Sequence, residues 1–294
     1  MSKLIVLVGL PGSGKSEYAK MLEKEGYIIC SSDQMREELF GDEKDQDHNA
    51  EVFQKLHEKI YNLLRGGYDV VYDACNINSK RRKQYLDSLR GINCIKEAHV
   101  IATPYDMVLE QNANRDRVVP KEVIDRMYKN WQTPSEWEGF NTVELIQQIP
   151  GEDYNIENYD HYDQNNPHHQ FTLGQHMRNV ADYIKLKTDN YLLYEAAIRH
   201  DSGKPFCEFK DESGISHYYG HENVGAYDVL NEWGLGDDEA LEISRLINYH
   251  MRPISWRSKG SEAYKKTCNK HKDLWGEDFF NSVMLLHEAD IAEH

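Results

Sequence analysis

The stretch that decides the fold is at the amino terminus: Leu4-Ile5-Val6-Leu7-Val8, followed without interruption by Gly9-Leu10-Pro11-Gly12-Ser13-Gly14-Lys15-Ser16. A continuous run of branched apolar residues is typical of a strand buried on both faces of a parallel sheet. The second part fits the pattern G-x-x-x-x-G-K-[ST], and the residues after it, 17–25, predict a helix. This order of strand, glycine-rich loop and helix predicts a phosphate-binding P-loop rather than an ordinary glycine-rich turn.

Each part of this motif has a chemical task. The glycines allow successive backbone N–H groups to point at an anion. Lys15 is expected to reach the outer phosphates as a catalytic group, and Ser16 to hold Mg²⁺. The sequence therefore predicts ATP and Mg²⁺ as ligands. The predicted nucleotide-binding residues of the loop are Gly9, Gly12, Ser13, Gly14, Lys15 and Ser16.

Two further predicted strands end in carboxylates. Residues 27–30 lead into Asp33, and residues 69–73 end at Asp73. Ligands of open parallel sheets bind at the carboxyl ends of the strands. Asp33 is therefore placed to accept the proton of an attacking hydroxyl, with Arg36 three residues further along a predicted helix. The alternative is that Asp33 only caps a helix that begins at Gln34.

An arginine-bearing segment follows the predicted strand at residues 99–102. Residues 112–117 contain Arg115 and Arg117 and precede a helix that starts near Pro120. Arginine suits a lid over nucleotide phosphates, because its planar fork pairs with phosphate oxygens as charge develops. We expect Arg115 to clamp ATP and Arg117 to be a second clamp.

Taken together, residues 3–131 resemble the 5′-hydroxyl polynucleotide kinases of phage and bacterial RNA repair. The resemblance rests on the P-loop, on residues 32–36, on residues 73–78 with Arg81-Arg82, and on residues 112–115 leading to Pro120 and residues 126–128. It implies that Asp33 is the general base for a 5′-OH, that Arg36 and Asp73 contact the acceptor, and that Arg115 is catalytic. Cys75 and Ser32 depart from the family's pattern.

The second half of the chain is rich in histidine: only three of the 14 histidines precede residue 150. Taken alone, each is more often a surface or core residue than a ligand. Their positions along the chain favour a metal site, because successive predicted helices, or the ends of those helices, each contain a candidate ligand. In helical bundles, helices that each deliver one inward ligand build metal sites, and imidazole with carboxylate suits Mn, Fe, Co, Ni or Zn. The candidates are His176, His200, Asp201, His221, His250 and Asp290.

This order, H…HD…H…H…D, resembles the HD phosphohydrolase superfamily over residues 163–294, and residues 163–169 resemble the HD domains of bacterial tRNA nucleotidyltransferases. The resemblance implies that His176, His200, Asp201 and Asp290 hold the core metal. His221 and His250 would complete a binuclear site or bind substrate phosphate, and Lys204 would neutralise phosphate charge as a catalytic group. One or two ions of Mn²⁺, Ni²⁺, Co²⁺ or Zn²⁺ would generate hydroxide and stabilise the transition state. His168, His169, His217, His271 and His287 have no place in the pattern.

The length of 294 residues predicts two domains. We expect an α/β P-loop kinase domain at residues 1–145, with a parallel sheet flanked by helices, and an all-α HD domain at residues 146–294, with the boundary within 141–160. The net charge of −16 excludes a protein that coats duplex DNA, but not one that grips an RNA end with a few arginines. The lack of a long apolar run predicts a cytoplasmic protein without a membrane partner, and the five cysteines without a CxxC pair predict reduced thiols.

The two halves together predict a bifunctional RNA end-healing enzyme. The first domain would phosphorylate 5′-OH ends with ATP, and the second would hydrolyse 2′,3′-cyclic phosphate or 2′-phosphate ends. RNA ends are the expected partner, with DNA left open, and a separate ligase would seal the ends because no ligase motif is visible. Two alternatives stay open: a nucleoside or nucleotide kinase fused to an HD nucleotidase in salvage, and an HD half that is a non-catalytic sensing module.

Overall fold

The computed structural model describes residues 1–147, 151–167, 170–257 and 260–293. His168 and His169 lie outside the described residues. The chain forms two compact units: Met1–Met127 with Pro134–Pro150, and Tyr128–Thr133 with Gly151–His294. The sequence-based division placed Tyr128–Thr133 in the first domain, whereas the structure places this segment in the second unit.

The first unit is built on a parallel sheet of five strands in the order β2-β3-β1-β4-β5. The run Leu4–Val8 lies in the central strand and is buried, which confirms the predicted parallel α/β sheet. The strands are β1 (Ser2–Val8), β2 (Ile28–Ser31), β3 (Val70–Asp73), β4 (Cys94–Ala102) and β5 (Thr142–Gln147).

Helices connect these strands. The longest of them buries Val52, Leu56, Ile60 and Leu64 at four-residue intervals, which gives it one apolar face packed against the sheet. A buried ion pair with two hydrogen bonds of 2.7 Å joins Arg82 to Glu138. The helices are α1 (Lys15–Lys24), α2 (Ser32–Phe40), α3 (Asn49–Arg65), α4 (Ser79–Ser88), α5 (Tyr105–Ala113) and α6 (Lys121–Tyr128).

The second unit is mainly helical. Its helices are α7 (Leu173–Lys187), α8 (Tyr191–Ala197), α9 (Lys204–Cys207), α10 (His221–Val229), α11 (Asp237–Tyr249), α12 (Arg252–Arg257), α13 (Ser261–Trp275) and α14 (Glu277–Ala292). An antiparallel pair, β6 (Phe209–Lys210) and β7 (Ser216–His217), adds to the all-α fold expected from the sequence. The turn between the strands forms because the Asp211 carboxylate accepts hydrogen bonds from the Ser213 and Ile215 backbone N–H groups.

The segment Tyr128–Thr133 is integrated into the second unit by aromatic packing and hydrogen bonds. The Trp131 ring is fully buried, with its centroid 4.9 Å from that of Tyr227. The Thr133 N–H donates to Asn248 Oδ1 at 2.8 Å, and the Tyr128 hydroxyl donates to Asp228. These contacts span more than 90 residues of sequence, so local patterns did not predict them.

Two further expectations concern the chain as a whole. Among the described helices, none is both long and apolar enough to cross a lipid bilayer. All five cysteines carry free thiols, in agreement with the expectation of reduced cysteines.

Candidate functional site

The P-loop joins β1 to α1 and presents backbone N–H groups. Gly12 and Gly14 have φ angles of +87° and +89°, in the left-handed region that favours glycine. Helix α1 begins at Lys15, directly after Gly14, which has no side chain to cap it. The unpaired N–H groups of its first turn are therefore available to an anion in the loop.

Lys15 is folded back over this loop. Its Nζ donates a hydrogen bond to the Leu10 carbonyl at 2.6 Å and lies 3.5 Å from Ser13 Oγ. The loop is tied to the sheet because the Thr103 hydroxyl, just after β4, donates to the Ser13 carbonyl at 3.1 Å. The Lys15 side chain is thus buried within the P-loop.

Ser16 and Asp73 meet beside the loop. The Ser16 hydroxyl donates to Asp73 Oδ2 at 3.1 Å, from the start of α1 to the end of β3. Burial raises the pKa of Asp73, although Lys15, the Ser16 hydrogen bond and the half-buried Arg115 each act to lower it. A hydroxyl and a carboxylate in this position form an oxygen pair suited to Mg²⁺.

The capping role at the start of α2 belongs to Ser31. Its hydroxyl accepts a hydrogen bond from the Asp33 N–H at 3.3 Å, and the helix begins at Ser32. The alternative that Asp33 caps a helix beginning at Gln34 is therefore wrong. The Asp33 carboxylate remains available for other contacts.

Asp33 is held by two arginines at one oxygen. Arg36 Nη1 lies 2.7 Å and Arg117 Nη1 lies 2.5 Å from Asp33 Oδ1. Arg36 also donates from Nη2 to Asn49 Oδ1 at 2.7 Å. The Arg36 side chain is buried, and its Nε has no hydrogen-bond partner among the described residues. Burial lowers the pKa of Arg36, against the opposing effect of Asp33.

In the second unit, four predicted ligands form a tight cluster. His176 Nε2 lies 3.3 Å from both Asp201 Oδ2 and Asp290 Oδ1. His200 Nε2 lies 3.4 Å and 3.5 Å from the same two oxygens. Ligands about 2.1 Å from one tetrahedral ion are about 3.4 Å apart, so these spacings fit a metal at their centre.

The other two predicted histidines face the second oxygen of Asp201. Its Oδ1 lies 3.0 Å from His221 Nε2 and 3.9 Å from His250 Nε2. Asp201 therefore presents one oxygen to each pair of histidines. The two ligand groups, His176 with His200, Asp201 and Asp290, and Asp201 with His221 and His250, share this carboxylate.

Backbone carbonyls orient the four imidazoles. Nδ1 lies 2.7 Å from the Ala197 carbonyl in His200, 2.8 Å from the Tyr218 carbonyl in His221 and 2.7 Å from the Ile247 carbonyl in His250. His176 Nδ1 makes the same contact with the Glu293 carbonyl at 3.1 Å. Nδ1–H donation leaves Nε2 as the ligand atom, the arrangement found in metal-binding histidines. Within the described residues, Nε2 of His200, His221 and His250 is buried without a hydrogen-bond partner, which fits a bound ion.

The electrostatics of the cluster favour added positive charge. Burial opposes ionisation of Asp201, but Lys204 and His200 outweigh it and hold the Asp201 pKa well below its usual range. Burial acts to lower the pKa of His200, but the nearby Asp201 and Asp290 carboxylates raise that pKa to about 10. Lys204 Nζ lies 2.6 Å from Asp201 Oδ2 and donates to Gln164 Oε1 at 2.7 Å.

Three other described histidines of the second unit are not members of the two ligand groups. His217 pairs with Asp211, with 2.9 Å between Nε2 and Oδ2. His271 stacks on Trp256 at a centroid distance of 4.4 Å, and His287 is buried in α14. These contacts account for His217 and His271 as structural residues.

Three residues that support the site were not predicted from the sequence. Ser31, Asn49 and Gln164 hold Asp33, Arg36 and Lys204 in place. Ser31 had a detectable signal, since a serine two residues before an acidic residue at a strand-to-helix junction is a typical cap. Asn49 and Gln164 act across 13 and 40 residues, and no local pattern marks them.

The comparisons with known proteins each cover no more than about half of the chain. Residues 4–134 match a protein-family model described as AAA domain. The chain is also similar to L-seryl-tRNA(Sec) kinase of Methanococcus maripaludis, at 25% identity over 137 residues, 45% of this chain and 53% of that protein. The chain thus spans about half the length of this relative.

Two solved structures are similar to part of the chain. One is a chain of the Pnkp1/Rnl/Hen1 RNA repair complex, with 22% identity over 44% of this chain and 43% of that chain and a TM-score of 0.38. The other is a gluconokinase from Sinorhizobium meliloti, with 16% identity over 49% of this chain and 82% of that chain and a TM-score of 0.36. The family-model match, the kinase relative and the loop geometry define the first unit as a P-loop domain of the kinase type.

Proposed function

We propose that this chain heals RNA ends. The first unit would transfer phosphate from ATP to a 5′-OH, and the second would hydrolyse 2′,3′-cyclic phosphate or 2′-phosphate ends. The observation that carries the proposal is the presence, in one chain, of a P-loop with Asp33 held by two arginines and of a histidine cluster around Asp201. Many ribonucleases leave these two kinds of end together, and neither can be ligated.

On the donor side, the P-loop would hold the ATP phosphates. Lys15 would exchange the Leu10 carbonyl for the outer phosphate oxygens, since a charged acceptor binds an ammonium more strongly than a carbonyl does. Ser16 and Asp73 would hold Mg²⁺. Their direct contact supports this role for Asp73 over the acceptor-binding role expected from the sequence. The lid residue Arg115 would clamp the phosphates.

On the acceptor side, Asp33 is proposed as the general base. Arg36 and Arg117 both contact Oδ1, so Oδ2 lies outside these two ion pairs. Oδ2 would accept the proton of the 5′-OH while the hydroxyl oxygen bonds to the γ-phosphorus and the bond to ADP breaks.

The contacts of Arg36 support a positioning role. Each of its terminal nitrogens already donates to a neighbouring side chain, Nη1 to Asp33 and Nη2 to Asn49, and the buried Nε has no partner among the described residues. We therefore assign to Arg36 the task of orienting Asp33. This differs from the expectation that Arg36 chiefly binds the acceptor.

An acceptor carried by RNA is favoured by the relative named as a kinase of L-seryl-tRNA(Sec). The rival is a kinase of small nucleosides fused to a nucleotidase. A direct comparison separates them: phosphorylation of a 5′-OH oligoribonucleotide against that of a free nucleoside, with ATP and Mg²⁺. A clear preference for the oligoribonucleotide is expected, and equal kcat/KM for the two acceptors would contradict the RNA proposal.

In the second unit, the proposed ion site fits the HD phosphohydrolase pattern. His176, His200, Asp201 and Asp290 would hold one ion, and Asp201, His221 and His250 a second. A bound Mn²⁺, Ni²⁺, Co²⁺ or Zn²⁺ would lower the pKa of a water and polarise phosphoryl oxygens. Lys204 lies beside Asp201 and would turn to the substrate phosphate.

The hydrolase proposal has its own test. Metal analysis of the purified chain should find bound ion, and addition of Mn²⁺, Ni²⁺ or Co²⁺ should support opening of 2′,3′-cyclic phosphate ends. A chain that binds no metal and hydrolyses no such end with any of these ions would contradict it. Metal binding without hydrolysis would favour the non-catalytic sensing module.

A further inference from the structure

A third cluster of ligand-type side chains lies in the first unit, outside the nucleotide site. His99 on β4 is in register with Glu144 on β5, and Glu97 lies two residues before His99. Residues two apart in a strand project to the same face of a sheet. The three side chains therefore converge, and His99 is only 5% exposed.

The ligand atoms have metal-like spacing. His99 Nε2 lies 3.5 Å from Glu97 Oε2 and 3.6 Å from Glu144 Oε2. These distances are close to the separation of about 3.4 Å between two ligands of one tetrahedral Zn²⁺ ion. His99 Nε2 is buried without a hydrogen-bond partner among the described residues. The cluster thus points an unpaired nitrogen at two carboxylates.

The other ring nitrogen determines what Nε2 can do. His99 Nδ1 lies 2.9 Å from the Tyr18 hydroxyl of α1. In the tautomer with Nδ1–H donating to the phenol oxygen, the Nε2 lone pair faces the two carboxylates and is free to act as a metal ligand.

We propose that Glu97, His99 and Glu144 bind a divalent transition cation of the Zn²⁺ or Co²⁺ class. The ion would cross-link β4 to β5, with water as a further ligand. Glu97 would coordinate through Oε2, because its Oε1 is paired with Lys3 at 2.9 Å. The Glu144 side chain is 52% exposed, which gives the ion access from solvent.

Co²⁺ titration of the full chain carrying Asp201→Ala tests this site, since that substitution removes the carboxylate shared by the second unit's ligands. We expect one residual equivalent of Co²⁺ with the visible absorption of a four-coordinate ion, displaced by Zn²⁺. Adding Glu144→Gln should abolish that equivalent, and His99→Gln should do the same. Glu51→Gln, which changes an exposed carboxylate on α3, is the matched control and should leave it intact.

Glu144→Gln alters an exposed side chain, so its metal-free far-UV circular dichroism should match that of its parent. With that match established, loss of the Co²⁺ equivalent and of the Zn²⁺-induced rise in Tm supports the site. Retention of the equivalent in the double variant Asp201→Ala/Glu144→Gln would overturn the proposal. Absence of any residual Co²⁺ binding in Asp201→Ala would also overturn it.

Discussion

Arg117 pairs with Asp33, with 2.5 Å between Arg117 Nη1 and Asp33 Oδ1. The contact joins the segment between α5 and α6, predicted from the sequence to clamp phosphates, to the start of α2, where the proposed general base lies. Because Arg36 contacts the same oxygen, the orientation of Asp33 depends on both arginines.

Asp33→Asn should abolish most phosphoryl transfer. The amide keeps the shape of the side chain but cannot accept the proton, so kcat should fall by about 10²–10⁴-fold while the KM for ATP changes little. Steady-state kinetics with a 5′-OH oligoribonucleotide measure this. Asp106→Asn, an exposed acid on α5, is the control. Wild-type kcat in Asp33→Asn would remove Asp33 from the mechanism.

Arg36→Ala should lower kcat more than it raises the acceptor KM, because its terminal nitrogens orient Asp33 and Asn49 rather than face solvent. Arg36→Lys should recover little of the loss, since a lysine cannot make both contacts in the same geometry. The split between kcat and KM is the readout. A rise in acceptor KM with unchanged kcat would instead show that Arg36 mainly binds the acceptor.

Asp73→Asn should raise the Mg²⁺ concentration needed for half-maximal kinase activity by about tenfold, equivalent to ~1.4 kcal/mol of lost binding. The reason is the loss of one anionic oxygen next to Ser16. A Mg²⁺ titration at saturating acceptor measures the change. If the Mg²⁺ dependence is unaltered and only the acceptor KM rises, Asp73 has the acceptor-binding role that the sequence suggested.

Glu138→Gln should destabilise the first unit by ~3–5 kcal/mol, because it leaves the buried Arg82 guanidinium without its counter-charge. Lys83→Ala is the matched control: it breaks the half-exposed pair with Asp87 and should cost no more than ~1 kcal/mol. Urea unfolding of the two variants compares the losses. Equal, small losses in both would show that the buried pair contributes little.

The sequence predicted the parts of this fold that depend on local pattern. The run Leu4–Val8 and the motif Gly9–Ser16 became the central strand and the loop before α1. Each candidate metal ligand also had a recognisable helix or helix end around it. Helix α8 ends at Ala197, so that His200 and Asp201 lie in the turn that follows.

What the sequence could not predict depends on contacts between distant residues. Arg82 is part of the resemblance to polynucleotide kinases, but its main partner is Glu138, 56 residues away, which the resemblance does not indicate. The two oxygens of Asp201 face different histidines because α7, α10 and α14 and the end of α11 pack around it, and no spacing reveals this. The packing of Tyr128–Thr133 with the second unit has the same origin.

The most direct test of the proposed function uses one RNA with a 5′-OH and a 2′,3′-cyclic phosphate, incubated with ATP and Mg²⁺ or Mn²⁺. We predict that the chain labels the 5′ end and processes the 3′ end. Lys15→Ala or Asp33→Ala should remove only the 5′ reaction, and Asp201→Ala only the 3′ reaction. Loss of both reactions from either change, or neither reaction in the unaltered chain, would contradict the assignment of two independent end-healing sites.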